Sequence, residues 1–363
     1  MKLSDLDKNF AAEELTRSDA VFYDVRKAPF AIYGLYNPQT EAEFCRMPDA
    51  TAANVSVGVR ALAKNTAGGR IRFKTDSPFV AIRADMPPLY PADNMPLLAQ
   101  SFGLYINRSG ESKYFSSFRY NIDKMMQGKG MTSILYLPPL PDGEVQDITI
   151  YFPLYASVKN LWIGLQEGAK LLPGDKYRWE KPVVFYGSSI TQGGCASHPG
   201  NSYQGFLSRR FDFDYINLGF SGNAKGEDAM ATYIAGLDMS VFVYDYDHNA
   251  PSLEHLRNTH EKLFRMVRAA HPTIPVIFMT APNFDSSPEG RALRRNLIFE
   301  NYSRAFSEGD RNLYFVDGER MFGGDCRDAC TVDSCHPNDL GFYRMADAVG
   351  AAMQIIYSHE EKR

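Results

Sequence analysis
The chain has 363 residues, 44% of them hydrophobic, so it can bury a sizeable core and is long enough for two domains. Its formal net charge of −4 and the lack of any Lys/Arg cluster interleaved with aromatics exclude nucleic acid as an expected partner. Residues 1–10 are charged throughout, without the apolar segment of a secretory signal, and no later stretch reaches the length of a membrane span. A cytoplasmic protein with no membrane partner is the expectation, although a secreted protein trimmed of its signal would read the same. Five cysteines, an odd number, do not suggest a disulfide framework.

In chain order, residues 21–165 hold short β-prone runs separated by Gly, Pro, Asn and Asp: 30–33, 55–59, 69–75, 79–83, 102–106, 134–137 and 146–152. Arg70, Arg72 and Lys74 alternate with Ile71 and Phe73, the period of a strand with one wet and one dry face. So many strands without intervening helices predict an all-β, jelly-roll-like sandwich over 1–172. Residues 173–182, rich in charge and turn formers, read as a linker.

From 183 to 363 the rhythm changes to strand then helix. Strand-like runs at 183–186, 215–218, 241–244, 276–280 and 313–316 are each followed by a segment of helical potential. In 252–270, Leu253, Leu256, Leu263, Phe264 and Val267 fall on one face and Ser252 is placed to cap the start. Phe342, Met345, Ala346, Val349 and Met353 do the same after Pro337. The alternation predicts an α/β fold, an open and mostly parallel sheet with helices on both faces. There is no internal repeat and no low-complexity tract.

In such a sheet, chemistry gathers in the loops at the carboxyl ends of the strands. The first strand runs into Gly187-Ser188-Ser189-Ile190-Thr191, a turn that would place a serine hydroxyl at the open edge of the sheet. A serine here also caps helices, and either Ser188 or Ser189 fits the residues alone. The second strand leads into Gly219-Phe-Ser-Gly222, the third into Asp245-Tyr-Asp-His-Asn249, and the fifth is followed by Asp333-Ser-Cys-His336.

Gly187-Ser-Ser-Ile-Thr191, Gly219-Phe-Ser-Gly222, Asn249 and Asp333-x-x-His336 resemble, in order, the four blocks of the SGNH or GDSL-type hydrolases. The longer spelling around Cys195-Ala-Ser-His-Pro-Gly200 and Cys335-His-Pro-Asn-Asp-Leu-Gly-Phe342 is similar to a bacterial branch with a β-rich N-terminal domain. Ser188 replaces the family's usual Asp, and Asp247-His248-Asn249 replaces its Gly-x-Asn-Asp. Ser101-Phe-Gly-Leu-Tyr105 is an echo of the branch's Gly-x-Asp-Leu-Tyr motif.

The resemblance implies Ser189 as nucleophile, His336 as base and Asp333 as its orienter, with an oxyanion hole from Ser189, Gly222 and Asn249. The chemistry agrees. A serine hydroxyl needs a base whose pKa lies near neutrality, the imidazolium needs a carboxylate, and the oxyanion needs donors already in place. Asp317, Asp325 and Asp328 are rival carboxylates close in sequence. The expected activity is a serine esterase acting on short-chain, acetyl esters of small molecules or oligosaccharides, with neither metal nor organic cofactor. An acyltransferase or thioesterase with the same triad, or a carbohydrate-binding protein with an inactive core, are the alternatives. Cys326, Cys330, Cys335 and His336 do not have the Cys-x-x-Cys spacing of a zinc knuckle. His198 and His248 stand as pocket-mouth or solvated loop residues. Tyr23, Tyr33, Tyr36, Tyr105 and Tyr120 stand as core or sheet-face residues before sugar-stacking ones.

Overall fold
The computed structural model describes residues 6, 7, 11, 15–90 and 92–360, so most of the charged run at 1–10 lies outside them. The chain divides into two compact units, Met1–Arg46 with Lys64–Lys176 and Ser197–Gly200, and Met47–Ala63 with Tyr177–Ala196 and Asn201–Arg363. This differs from consecutive blocks at 1–172 and 183–363: Met47–Ala63 belongs with the C-terminal unit and Ser197–Gly200 with the N-terminal one. Nor is 173–182 a free linker, because Leu171–Pro173 and Trp179–Gly187 are both paired strands.

The N-terminal unit contains strands β1 (Ala20–Asp24), β2 (Ala31–Tyr33), β3 (Arg70–Thr75), β4 (Phe79–Asp85) and β5 (Gly103–Arg108). It continues with β6 (Glu111–Ser117), β7 (Met131–Tyr136), β8 (Gln146–Tyr151), β9 (Asn160–Gln166) and β10 (Leu171–Pro173). They pair antiparallel in two sheets, ordered β1-β9-β4-β7 and β10-β3-β8-β5-β6, with β2 beside β3. Leu161, Ile163 and Leu165 of one sheet share a buried cluster with Ile71, Phe73, Ile148 and Ile150 of the other, as inner faces of a sandwich do. The expected wet face of β3 is not wet: Arg70 is fully buried and Arg72 nearly so. Period-2 alternation tells which side chains share a face, not whether that face is covered.

In the C-terminal unit, β11 (Trp179–Gly187), β12 (Phe213–Gly219), β13 (Val241–Asp245), β14 (Val276–Met279) and β15 (Leu313–Val316) form one parallel sheet ordered β12-β11-β13-β14-β15. Its helices are α1 (Asp49–Val55), α2 (Val57–Ala63), α3 (Ser189–Gln192), α4 (Tyr203–Phe211) and α5 (Asp228–Ala235). They continue with α6 (Leu253–Ala270), α7 (Pro288–Ser307), α8 (Gly318–Met321) and α9 (Asp339–Glu360). On one sheet face Val184, Tyr186 and Phe242 pack with Met230, Leu263, Phe264 and Leu297. On the other, Phe185 meets Tyr203 of α4 at 5.6 Å between ring centroids, and Tyr203 stacks on Phe342 of α9 at 6.5 Å. The Ser252 hydroxyl accepts from His255 N at 3.0 Å and caps α6.

The valine run at 55–59, expected as a strand, is the junction of α1 and α2. The periodicity that decides is Ala52, Val55, Val59 and Ala63, which recur every three or four residues and pack in or against the C-terminal core. Ser56 Oγ accepts from Val59 N at 3.0 Å and starts α2. In a strand Val57 and Val59 would share a face, whereas here Val57 is 88% exposed and Val59 is fully buried. Val57→Lys is therefore expected to change unfolding free energy by less than ~0.5 kcal/mol in chemical denaturation, and Val59→Lys to reduce it by more than ~2 kcal/mol. Equal effects would reject the helical reading.

Candidate active site
β11 ends where no side chain fits. A Cβ on Gly187 would lie 2.1 Å from Thr191 Oγ1 and 2.4 Å from the Asp245 carbonyl oxygen. The chain turns there, and Ser188 takes the N-cap of α3, its hydroxyl accepting from Ile190 N at 3.1 Å. Capping occupies Ser188, so the first helical residue, Ser189, presents the hydroxyl of this loop. Ser189 Oγ lies 3.0 Å from His336 Nε2.

On the other side of the ring, His336 Nδ1 lies 2.7 Å from Asp333 Oδ2. Asp333 Oδ1 also accepts from His336 N at 2.7 Å and Cys335 N at 3.0 Å. A carboxylate only accepts, so Nδ1 carries the proton and Nε2 is left as the acceptor facing Ser189. Partial burial acts to raise the Asp333 pKa, but the hydrogen bonds from the His336 backbone and ring, with the His336 charge and Cys335 N, hold it at about 2. This turn is fastened at its base by the Thr331–Pro337 bridge and by Val332 N donating to His336 O at 3.0 Å. Between Asp333 and His336, Ser334 has φ +63°, and Asn283 Nδ2 donates to its carbonyl at 3.0 Å.

The loops after β12 and β13 are tied to the same edge. Phe220 N donates to Gly187 O at 2.8 Å, and Ser221 N donates to Gln192 Oε1 of α3 at 3.1 Å. Asn249 Nδ2 donates to Phe220 O at 2.9 Å, which engages one of the two amide hydrogens and leaves the other. Gly222 has φ +67° and nothing within 4 Å of its Cβ position, so its backbone conformation, not crowding, calls for glycine.

Behind these loops, Asp247 accepts from Ala281 N at 2.9 Å and lies 3.7 Å from Arg291, while Arg294 donates to the Asp247 and Ala250 carbonyls at 2.6 and 2.8 Å. His248 Nδ1 lies 3.5 Å from Arg291 Nη2. Burial, with Arg291, His336 and Arg294, pushes the His248 pKa well below its ordinary value, so this ring is neutral. His198 belongs to the N-terminal unit, where its ring stacks on Tyr114 at 3.9 Å. Tyr105 is 1% exposed there, a packing residue whose hydroxyl lies 3.3 Å from His198 Nδ1.

The cysteines are free thiols. Burial, with Asp333 and Cys335, pushes the Cys195 pKa to about 12, so this neighbouring thiol stays protonated and is no rival nucleophile. Among the described residues, no group of three or more His, Cys, Asp or Glu side chains could hold a metal ion.

Asn283, Gln192, Arg291, Arg294 and Asp245 support the site without having been candidates. Asp245 accepts from Thr191 Oγ1 at 2.8 Å and Tyr203 OH at 3.1 Å, and burial pushes its pKa up to about 7. Only its place at the end of the third strand marked it in the sequence. Gly187→Ala is expected to destabilise the fold by more than the ~1–3 kcal/mol typical of overpacking, because backbone as well as side chain must move. Gly222→Ala should lose only the ~1–2 kcal/mol of a left-handed residue. Denaturation midpoints that rank the two in the opposite order would reject this account.

Residues 180–354 match the GDSL-like lipase/acylhydrolase family, and residues 20–171 match the N-terminus of SGNH hydrolase-type esterases. No curated protein sequence matches the chain. Among solved structures, it is similar to a Bacteroides ovatus protein described as a GDSL-like lipase, with TM-score 0.81 and 28% identity over 93% of this chain and 98% of that one. A salicylyl-acyltransferase from a tetracycline biosynthetic pathway shares the fold at TM-score 0.73 and 18% identity, over 94% of this chain and 98% of that one. A family two carbohydrate esterase from Clostridium thermocellum, solved with cellohexaose, shares it at TM-score 0.60 and 15% identity, over 81% and 94%. The two family matches adjoin and together run through most of the sequence, and the chain belongs to the SGNH/GDSL-type hydrolases, in the branch with a β-rich N-terminal domain.

Proposed function
We propose that the protein is a serine esterase that removes short acyl groups, acetyl foremost, from carbohydrates. The observation that carries this reading is the line from Ser189 Oγ to His336 Nε2 at 3.0 Å and from His336 Nδ1 to Asp333 at 2.7 Å. In the first half-reaction Ser189 Oγ forms a bond to the acyl carbon as its proton passes to His336 Nε2. The oxyanion is received by the N–H groups of Ser189 and Gly222 and the second amide hydrogen of Asn249. Collapse breaks the bond to the alcohol oxygen, which leaves with the proton from His336. Water then repeats the sequence on the acyl-enzyme, giving the acid and restoring the serine.

The carbohydrate part of the proposal is supported by likeness to the family two carbohydrate esterase, which is a likeness of fold. We further infer that the N-terminal sandwich is a jelly roll. Its antiparallel pairs β1·β9, β3·β8, β4·β7 and β5·β6 are nested one inside the other along the chain, as in a long hairpin rolled up. A second reading, acyl transfer to an acceptor other than water, is favoured by likeness to the salicylyl-acyltransferase and uses the same steps with a different second nucleophile.

Ser189→Ala is expected to lower kcat on 4-nitrophenyl acetate by at least ~10⁴-fold, and Asn249→Ala by ~10²–10³-fold. Turnover unchanged in Ser189→Ala would remove this serine as nucleophile. A screen of acetylated sugars and acyl-chain lengths should favour short chains on sugars, and preference for long chains would reject the deacetylase. Product analysis with a competing sugar or thiol acceptor separates hydrolysis from transfer.

The pH dependence follows from Asp333. A carboxylate with its pKa lowered to about 2 stays ionised down to that value, and its favourable contribution to the fold is lost progressively as pH falls from the ordinary carboxylate range through it. Asp333 should therefore add no proton to the acid limb of kcat/KM above ~pH 4, and a proton on Asp333 in that range would overturn this account.

A further inference from the structure
In the N-terminal unit, β3, β5, β6 and β8 and the β7–β8 connection enclose a cavity of about 460 Å³ that the proposed esterase chemistry does not use. This is within the size range of small-molecule sites. Its most buried polar side chains, Gln146 and Asp147, offer hydrogen-bond acceptors. Gln146 is 6% exposed, and its Nε2 donates to Pro138 O at 3.0 Å while its Oε1 is buried with no partner. Asn107 Nδ2 donates to both Asp147 Oδ1 and Thr149 Oγ1, each at 2.9 Å, so the amide oxygen is what Asn107 has left to offer. Asp147, 7% exposed, adds a carboxylate whose second oxygen holds Asp175 N at 3.1 Å.

The charges of the lining balance. Lys74, Arg108 and Lys113 face Asp147, Asp175 and Glu144 across the same cavity. Lys74 pairs with Asp175 at 2.6 Å, Lys113 with Glu111 at 2.7 Å and Arg108 lies 3.8 Å from Glu144. A phosphate or carboxylate ligand would find no surplus cation and a set of acceptors opposing it. A cation would meet the three basic side chains. Ile106, Phe115, Pro138, Pro139 and Leu140 supply apolar wall. The fitting ligand is uncharged, rich in hydroxyl donors and apolar on one face, which is the chemistry of a sugar ring.

We propose that this cavity is a binding site for a neutral saccharide unit of an oligosaccharide, formed by the β-rich unit itself. It stands on the cavity's own residues and holds whether or not Ser189 is the nucleophile. The site would retain polymeric substrate on the protein through contacts separate from the reacting ester.

The test is isothermal titration of the full chain with cellohexaose, xylohexaose, mannohexaose and, as a charged control, tri-galacturonate. At least one neutral oligosaccharide is expected to bind with Kd between ~10 μM and ~1 mM, and the control not to bind. Asn107→Ala should weaken binding at least ~10-fold, about 1.4 kcal/mol, and leave 4-nitrophenyl acetate turnover within ~2-fold. Because Asn107→Ala also removes two hydrogen bonds within the sheet, Leu140→Trp, on the β7–β8 connection, serves as a second variant that obstructs the cavity instead. Loss of binding in both variants supports the site, even if no ester is hydrolysed, which would count only against the esterase. No binding of any neutral oligosaccharide at ~10 mM, or binding that both variants leave unchanged, overturns the site without touching the esterase reading.

Discussion
The C-terminal unit depends on a place where a side chain cannot go. At the end of β11 the Gly187 Cβ position is already taken by Thr191 Oγ1 and the Asp245 carbonyl, so the α3 turn and the end of β13 close directly onto the strand. β11 lies between β12 and β13, where successive connections leave in opposite directions and a crevice opens in a parallel sheet. Ser188 then caps α3, Phe220 N bonds back to Gly187 O, and Asn249 bonds to Phe220 O. Three loops are thereby assembled on one backbone turn, and Ser189 sits at its head.

The same unit keeps its carboxylates in different states by environment. Asp333, partly exposed, is surrounded by N–H donors from His336 and Cys335 and is held at about 2, so it is a permanent negative charge beside the imidazole. Asp245 is buried, accepts from two hydroxyls and is pushed up to about 7. Asp247 is also pushed upward by burial, against the pull of Ala281 N, Arg291 and Arg294. Asp333, which faces the ring, combines charge with a short, directed hydrogen bond, and the Asp333–His336 turn is held in shape by the Thr331–Pro337 bridge and by Asn283.

Much of this unit is legible in the sequence because its strands are short apolar runs that carry their own signal, and each runs into a loop whose polar residues stand next to one another. Helix α6 is legible for the same reason, with an apolar stripe and a capping serine on one contiguous segment. The misread pieces all depend on what covers them. The valines at 55–59 look β-prone in isolation, and packing of Ala52, Val59 and Ala63 in the C-terminal core makes them helical. Arg70 and Arg72 alternate like surface residues and are buried. The division of the chain could not be read from composition, since Met47–Ala63 and Ser197–Gly200 each lie far along the chain from the unit they join.

The sequence by itself determined the parallel α/β plan and the β-rich first half, and the resemblance of its short blocks to the family named Ser189, His336, Asp333, Gly222 and Asn249 as candidates. These rest on local patterns: apolar periodicity, turn residues, and blocks a few residues long. Tertiary structure alone decided that Ser188 caps while Ser189 faces His336, that Asn283 and Gln192 hold loops from other strands, and that Gln146, Asn107 and Asp147 line one cavity. The physical reason is that hydrogen bonds between loops, and the covering of a sheet face, join residues distant in the chain, and no local spacing records which of them the fold will bring together.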